Sequence, residues 1–500
     1  MQAARSGPGH PTRDRRFVHC PGGGRVTAER VAILLSASTR TLPGRTAPRG
    51  RQWGRECRRP DAAGVSEGRA APDRLHPNPR GADHADPAGR RNVTIIIAAR
   101  LLMSASRALA GVVTPVYLAL IGFSALQLGE LALVVAIATA ILSTSIGLVS
   151  DRIGRKPFLV VVPLLAAVAG VVFATTRETG ILFAAAAIGS FGRGAGAGAG
   201  AVGPYGPAEQ AMVTDIVPPT RRNVAFGRLA FASSVGALVG GPLALLVGNA
   251  PAGSAAVTAA YRIPFLATAA LAAGAGLLAL LLREPARPAS VGDPGRRPRL
   301  PRRSMPLLAR LWATNSVNGL AVGMFGPFVT YWFFRRYGVG PGQIGVLFAV
   351  INAATAVSTL SAAGFARRWG LVRTVTAVRV VQAILLVPMV LAPSFLMAGA
   401  IYLVRMIVQR IGMPLRQSYV LAMADPGERA AVGALSNLPS QVTMAVAPLV
   451  AGYLFDEVSI SLPFVVSAVL QFANAALYWG FFRALPPEEE RTVPATSGSA

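Results

Sequence analysis

Three arginines stand where the rest of the chain makes charge expensive. Arg107, Arg193 and Arg405 each fall near the midpoint of an apolar stretch long enough to cross a bilayer, and Asn318 lies at similar depth in a fourth. A charge at mid-membrane costs about 2.5–3.5 kcal/mol on insertion scales, so such a side chain faces protein, water or a ligand rather than lipid. The guanidinium fork matches carboxylate and phosphate, and no acid of the apolar body lies at that depth. Glu130, Asp151, Glu178, Glu209, Asp215, Glu284, Asp293, Asp425, Glu428, Asp456, Glu457 and Glu488–Glu490 all fall at stretch ends or in breaks. The arginines must then find backbone carbonyls, amides, hydroxyls, water or a bound anion. They are candidate anchors for an anionic or amphiphilic solute, and the competing reading has them bracing helix contacts through carbonyls.

A second cluster is the decapeptide Gly147-Leu148-Val149-Ser150-Asp151-Arg152-Ile153-Gly154-Arg155-Lys156, a charged turn between two apolar runs. Lys156 is the only lysine in the 500 residues. Such a turn belongs at a membrane surface. Asp151, at the end of one helix, can accept from free N–H groups at a neighbouring helix start, where the dipole favours an anion. Arg155 can pair with a carboxylate on an adjacent span, and Glu209 and Asp215 are the natural candidates. The alternative is that these charges only fix topology.

The elements that position these residues are apolar helices. Hydrophobic residues make up 52% and charged residues 14%, with mean hydropathy +0.48, whereas soluble domains carry roughly 25% charged residues. A helical crossing needs about 20 mostly apolar residues. Runs of that kind lie near 93–120, 128–147, 157–175, 181–204, 222–248, 261–282, 307–333, 341–364, 373–392, 395–415, 430–453 and 460–482. The fold class is therefore an all-α integral membrane protein with about 12 spans. Arg152, Arg155, Lys156, Arg221, Arg222, Arg367, Arg368, Arg373 and Arg429 all fall in alternate breaks, which places those breaks and both termini in the cytoplasm.

Residues 1–91 hold 18 arginines against 8 acids. They read as a disordered basic tail, as translated sequence ahead of the true start codon, or as a segment touching anionic lipid headgroups. Much of the net charge of +27 lies there and much of the rest in cytoplasmic loops, so nucleic acid is rejected as a partner. Both cysteines (Cys20, Cys57) and all four histidines (His10, His19, His76, His84) also lie in this tail. Disulfide, thiol or histidine–metal chemistry in the membrane body is thereby excluded, and no metal or other cofactor is expected. A Pro/Arg-rich linker at 284–306 divides the body into bundles at 92–283 and 307–484, followed by a disordered C-terminal tail at 485–500.

The two halves repeat. Gly122, Gln127, Gly129 and Gly154 recur 216 residues later as Gly338, Gln343, Gly345 and Gly370. Pro207, Gln210, Pro219 and Arg222 recur at an offset of 207 as Pro414, Gln417, Pro426 and Arg429. Duplication implies two six-helix bundles about a pseudo-two-fold axis, with a site between them at mid-depth.

Gly147, Asp151, Arg152, Gly154, Arg155 and Lys156 match every fixed position of G-x-x-x-D-R-x-G-R-[RK], and on these residues the chain resembles the major facilitator superfamily. The resemblance covers roughly residues 92–485. It implies two pseudo-symmetric six-helix bundles that alternate access to a central cavity lined by the spans carrying Arg107, Arg193, Asn318 and Arg405. It also implies that the charged loop, with Glu209 or Asp215, gates the outward-open state. In the second copy Arg367 replaces the aspartate, so that copy reads as a positive anchor. Arg193 followed by Gly194–Gly203, and Gly236, Gly240, Gly241 and Pro242 as a helix-packing motif, partly resemble the proton-linked efflux branch.

The leading reading is a monomeric secondary transporter of the cytoplasmic (inner) membrane that exports a drug-like, anionic or amphiphilic solute. A proton or a sodium ion is the coupling ion, and membrane lipids are its other partners. No phosphate-binding loop points to an ATP-driven pump. The alternative is a transporter-like sensor or scaffold that binds without translocating. A membrane enzyme lacks any Ser-His-Asp or di-carboxylate constellation in the body.

Overall fold

A computed structural model describes residues 87–191, 203–247, 254–284, 301, 303–358, 370–425 and 428–484, all within one compact unit, Asn78–Ala500. The N-terminal half contains α1 (Pro87–Leu120), α2 (Ala125–Ile153), α3 (Lys156–Thr175), α4 (Thr179–Gly189), α5 (Tyr205–Ile216), α6 (Arg222–Gly240) with a 3₁₀ continuation (Pro242–Val247), and α7 (Ser254–Leu280). The C-terminal half contains α8 (Met305–Phe325), α9 (Val329–Tyr337), α10 (Pro341–Ser358) and α11 (Leu371–Leu391). It continues with α12 (Phe395–Met423), α13 (Arg429–Leu435), α14 (Leu438–Glu457) and α15 (Leu462–Phe482). No strand occurs among the described residues.

Hydrocarbon offers backbone groups no partner, so these apolar runs must satisfy their own hydrogen bonds as helices. Among the described residues ten helices are long and apolar enough to cross a membrane, and Thr179–Gly189 and Pro341–Ala356 are shorter apolar helices at the fourth and eighth expected spans. Large apolar side chains point outward, with Phe231, Leu391 and Leu396 at 71%, 73% and 80% exposure, while Tyr261, Phe265 and Trp332 are buried. That inside-out arrangement suits a lipid solvent.

Several boundaries differ from the sequence expectation, among them the eleventh span, which is split between α13 and α14 at Ser436-Asn437. Helix α1 begins at Pro87, ahead of the expected tail boundary, because proline is preorganised for a first helical position. Helix α4 stops at Gly189, where Ser190 adopts a left-handed φ of 55°, rather than running to residue 204. Residues 192–202 lie outside the described residues. The seventh span is split between α8 and α9 at Gly326-Pro327-Phe328, where proline cannot donate to the preceding turn.

The repeat is visible in the packing. The pairs α3–α7, α1–α6, α1–α7 and α3–α4 recur as α11–α15, α8–α14, α8–α15 and α11–α12. Gly154 and Gly370 both hold positive φ, 110° and 80°, as do Gly122 and Gly338 at 101° and 66°.

Between the halves, α2 lies against α14, and α10 against α6 and its 3₁₀ continuation. A Cβ on Gly129 would collide with the Pro448 carbonyl, and one on Gly345 with the Gly241 carbonyl. The offset 216 relates Gly129 to Gly345, and 207 relates Gly241 to Pro448, so this is one contact made twice. Gly452 against Ala125 and Leu126, and Gly342 against Leu245, repeat the correspondence. Small residues are what let helix backbones meet in lipid. Both seams lie at the end of the bundle carrying Ser124, the Ser124 face. Toward the opposite Asp151 face, Gly147 of α2 has open space beside it.

In a chain with Cys20 and Cys57 replaced, Gly129→Val should prise the α2–α14 seam apart. Labelling of a cysteine placed at the buried Ala125 should then rise several-fold. Unchanged labelling would contradict the seam.

The C-terminal half starts on an anchor. The backbone N–H groups of Arg303 and Ser304 donate to Glu428 Oε1 and Oε2 at 3.2 and 2.8 Å, just before α8. Partial burial works to raise the Glu428 carboxyl, but the Ser304 side chain, these two N–H groups and the Arg303 charge together hold it below the ordinary range. The folded form therefore binds its proton less readily than the unfolded chain. Its contribution is complete above the ordinary value of 4.5 and is lost as pH falls through the depressed one. Intrinsic-rate-corrected exchange protection at Ser304 should hold at neutral pH and step down in acid, and Glu428→Gln should lack the step. A step of equal size in the variant would rule out Glu428 as its source.

Candidate functional site

At the Asp151 face the chain turns from α2 into α3 through Gly154. A Cβ there would meet the Glu284 carboxylate oxygens at 2.5 and 2.7 Å, so only glycine lets that carboxylate reach the Arg155 N–H, which donates to Glu284 Oε1 at 2.9 Å. The Arg155 guanidinium pairs with Asp215 and also donates to the Ala211 carbonyl, both on α5. Arg222 fastens the end of α5 by donating to the carbonyls of Thr214 at 2.8 Å and Val217 at 3.1 Å. Lys156 opens α3. Asp151 and Arg152 occupy the last turn of α2, and their side chains lie outside the described ones. Arg367, Arg368 and Trp369 also lie outside the described residues.

The two candidate carboxylates have different partners. Asp215 faces Arg155, whereas Glu209 is ion-paired with Arg100 of α1, the side chains being 1% and 11% exposed. Glu209 Oε1, Arg100 Nε and the Tyr205 hydroxyl are buried without a hydrogen-bond partner. All these groups belong to the N-terminal half.

The mid-depth residues touch three different sets of neighbours. Arg107 reaches the end of α4, where its Nη2 donates to the Ser190 carbonyl at 3.4 Å and hydroxyl at 3.5 Å. A Cβ on Gly203 would meet the same guanidinium, so Arg107 fills the gap between α4 and α5. The negative end of the α4 dipole offsets part of its charge. Ser190 Oγ is also hydrogen-bonded to Thr139 Oγ1 of α2 at 2.9 Å. Arg193 lies outside the described residues.

Arg405 of α12 is 0% exposed and lies with Cζ 4.2 Å from the ring centroid of Phe325, the last residue of α8. Its Nη1 donates to Gln409 Oε1 at 3.4 Å, and its Nε and Nη2 have no partner. A desolvated cation–π contact is worth about 2 kcal/mol, which does not replace hydrogen bonds at a buried charge. Asn318 instead accepts from Asn474 Nδ2 at 3.2 Å, and Asn474 Oδ1 takes a hydrogen bond from Arg379, whose guanidinium stacks on Tyr478 at 4.6 Å. Asn318 is thus tied into an α11–α15 network.

On α6, Gly236 packs on Leu101 and Ser104 of α1, and Gly240 on Ala105. Gly241 turns to the other half and meets Gly345, after which Pro242 opens the 3₁₀ continuation.

The model of the Major Facilitator Superfamily matches residues 96–315 and again 311–499, once for each half. The chain belongs to that superfamily. A bacterial homologue of the human lysosomal transporter Spinster, inward-facing and unoccupied, is 15% identical over 79% of this chain and 97% of its own, with TM-score 0.63. The nucleoside transporter NupG is 13% identical over 80% and 100%, with TM-score 0.62. A D-xylose–proton symporter is 14% identical over 79% and 98%, with TM-score 0.59. These likenesses establish the fold, two pseudo-symmetric helical bundles, and membership of the superfamily makes the chain a multi-pass membrane protein. No curated protein sequence matches.

Sequence reasoning missed several polar groups that the superfamily fold brings into play. Glu284 next to Gly154, Ser190 next to Arg107, and the Arg379–Asn474 pair carried no motif. An arginine inside an apolar run was the one available signal for Arg379.

Removing one partner of a buried ion pair costs about 3–5 kcal/mol, mostly from the charge left behind. Glu209→Leu should therefore destabilise the purified protein far more than the Arg100→Leu/Glu209→Leu double variant, as read by thermal unfolding in detergent. Equal losses would contradict a coupled pair.

Proposed function

We propose that this chain is a secondary transporter that moves a small anionic or amphiphilic solute across the cytoplasmic membrane by alternating access. The observation that carries this reading is closure at one end: two symmetry-related glycine seams hold the halves together at the Ser124 face. The arginine-rich breaks assign the Asp151 face and both termini to the cytoplasm, which makes the state inward-facing. Pivoting of bundles 92–283 and 307–484, joined by the 284–306 linker, would exchange the open face.

Arg405 supports the anionic solute. Among the described residues Arg405 is ion-paired with no carboxylate, and its buried guanidinium keeps two nitrogens without hydrogen-bond partners, which a bidentate anion would satisfy. Arg107 is the matching anchor in the first half, with Arg193 and Asn318 as further lining residues. Arg155 with Asp215, together with Gly147, Asp151, Arg152, Gly154 and Lys156, forms the cytoplasmic gate. Glu209 is the buried carboxylate best suited to carry a coupling proton, with sodium as the other coupling ion. Export is the favoured direction, from the partial efflux-type pattern at Gly236–Pro242. A ligand-binding sensor or scaffold is the second reading, separated by counterflow, since a sensor binds but exchanges nothing.

The test is a tracer screen of carboxylates and phosphate esters in proteoliposomes under imposed proton and sodium gradients. Arg405→Gln should abolish binding and exchange of the solute found, and Arg405→Lys should restore only part, because an ammonium lacks the fork. Unchanged binding and transport in Arg405→Gln would overturn this site.

A further inference from the structure

Helix α2 starts with a capping box. Ser124 Oγ accepts from the Gln127 N–H at 3.2 Å, and the Gln127 side chain accepts from the Ser124 N–H at 3.0 Å. The Leu128 N–H finds the Ser124 carbonyl at 3.1 Å. Of the four N–H groups that a helix start leaves without partners, this arrangement leaves two, those of Ala125 and Leu126. Both are taken by one side chain from the other half of the molecule: Ala125 N–H donates to Asp456 Oδ1 at 3.0 Å and Leu126 N–H to Asp456 Oδ2 at 2.8 Å.

Asp456 stands next to the last residue of α14, where the dipole of its own helix disfavours an anion. Its two backbone partners lie instead at the start of α2, and they are in reach only while the two halves meet. The carboxylate sits just beyond the Gly452–Ala125 contact, at the rim of the α2–α14 seam, and is itself exposed to solvent. Water can replace it on both N–H groups as the seam opens, so the link can break and re-form without leaving a buried polar group unpaired.

We propose that Asp456 is the latch of the Ser124 face, a gating residue whose capping of α2 biases the transporter toward the state closed on that side. The proposal rests on the alternating-access reading. Acceptance by a neighbouring carboxylate, which the sequence suggests for Asp151 at one end of α2, is made at the other end by a residue outside every recognised motif.

The test uses spin-label distances in full-length protein reconstituted in nanodiscs, with Cys20 and Cys57 replaced. One pair, Thr179→Cys with Ser459→Cys, spans the halves at the Ser124 face, and another, Thr220→Cys with Ala422→Cys, spans them at the Asp151 face. Asp456→Ala should lengthen the first pair and shorten the second, shifting the ratio of the two states about tenfold, the equivalent of about 1.4 kcal/mol. Ser124→Ala removes a cap internal to α2 in both states, so it should lower thermal stability without that reciprocal shift. Unchanged distances in Asp456→Ala, loosening at both faces together, or an equal shift in Ser124→Ala would each overturn the latch. Wild-type protein that shows two reciprocal distance sets supports alternating access whatever Asp456→Ala does. A wild type that stays in one set while Asp456→Ala still moves both pairs upholds the latch and counts against spontaneous cycling.

Discussion

Two helices in lipid gain nothing from hydrophobic burial against each other, so they are held by close backbone packing and by the polar contacts that packing allows. In this protein that constraint falls on a few positions, Gly129 against Pro448 and Gly345 against Gly241, with Gly452 and Gly342 beside them. Any side chain at these points would wedge the halves apart. The rest of the architecture follows from the contact being made at one end of the bundle: the state that is described, and the place where polar groups can meet solvent. Because the two seams are copies of one another, closure is a property of the repeat rather than of one fortunate pair of helices.

Buried charge is handled differently in the two halves. Arg100 has a carboxylate partner in Glu209, whereas Arg107 leans on the carbonyl end of an interrupted helix and Arg405 on an aromatic ring at the split in the seventh span. The two described mid-depth arginines, Arg107 and Arg405, thus sit where a helix ends, at the left-handed Ser190 in one case and at Gly326-Pro327 in the other. Interrupted helices expose backbone groups that a continuous span would consume. Arg405 still lacks partners for two nitrogens, which makes it the strongest pointer to a ligand.

Much of this was legible in the sequence. Apolar run length gave the spans, arginine distribution gave a sidedness to test, and offsets of 216 and 207 between glycines and prolines gave the duplication. The same offsets turn out to map one inter-half seam onto the other, which no one-dimensional pattern could announce. The charged loop was readable because its residues are close in sequence. What could not be read depends on pairs far apart in the chain. That Glu209 answers Arg100 rather than Arg155, that Asn318 is tied to Asn474, and that Asp456 caps α2 are facts of three-dimensional register, carried by common residue types. The end of α4 at Gly189 was missed for a local reason, since a serine at positive φ follows no propensity rule.

The central claim, that the Ser124 face must open for the protein to work, is tested most directly by locking it. A Cβ on Gly342 would lie 3.3 Å from the Leu245 Cα, so cysteines at positions 245 and 342, in the chain with Cys20 and Cys57 replaced, can be joined across the halves. The oxidised protein should bind its solute from the Asp151 face but exchange none across the membrane, and reduction should restore exchange. Full exchange by the cross-linked protein would show that this face never opens during the cycle and would contradict the account.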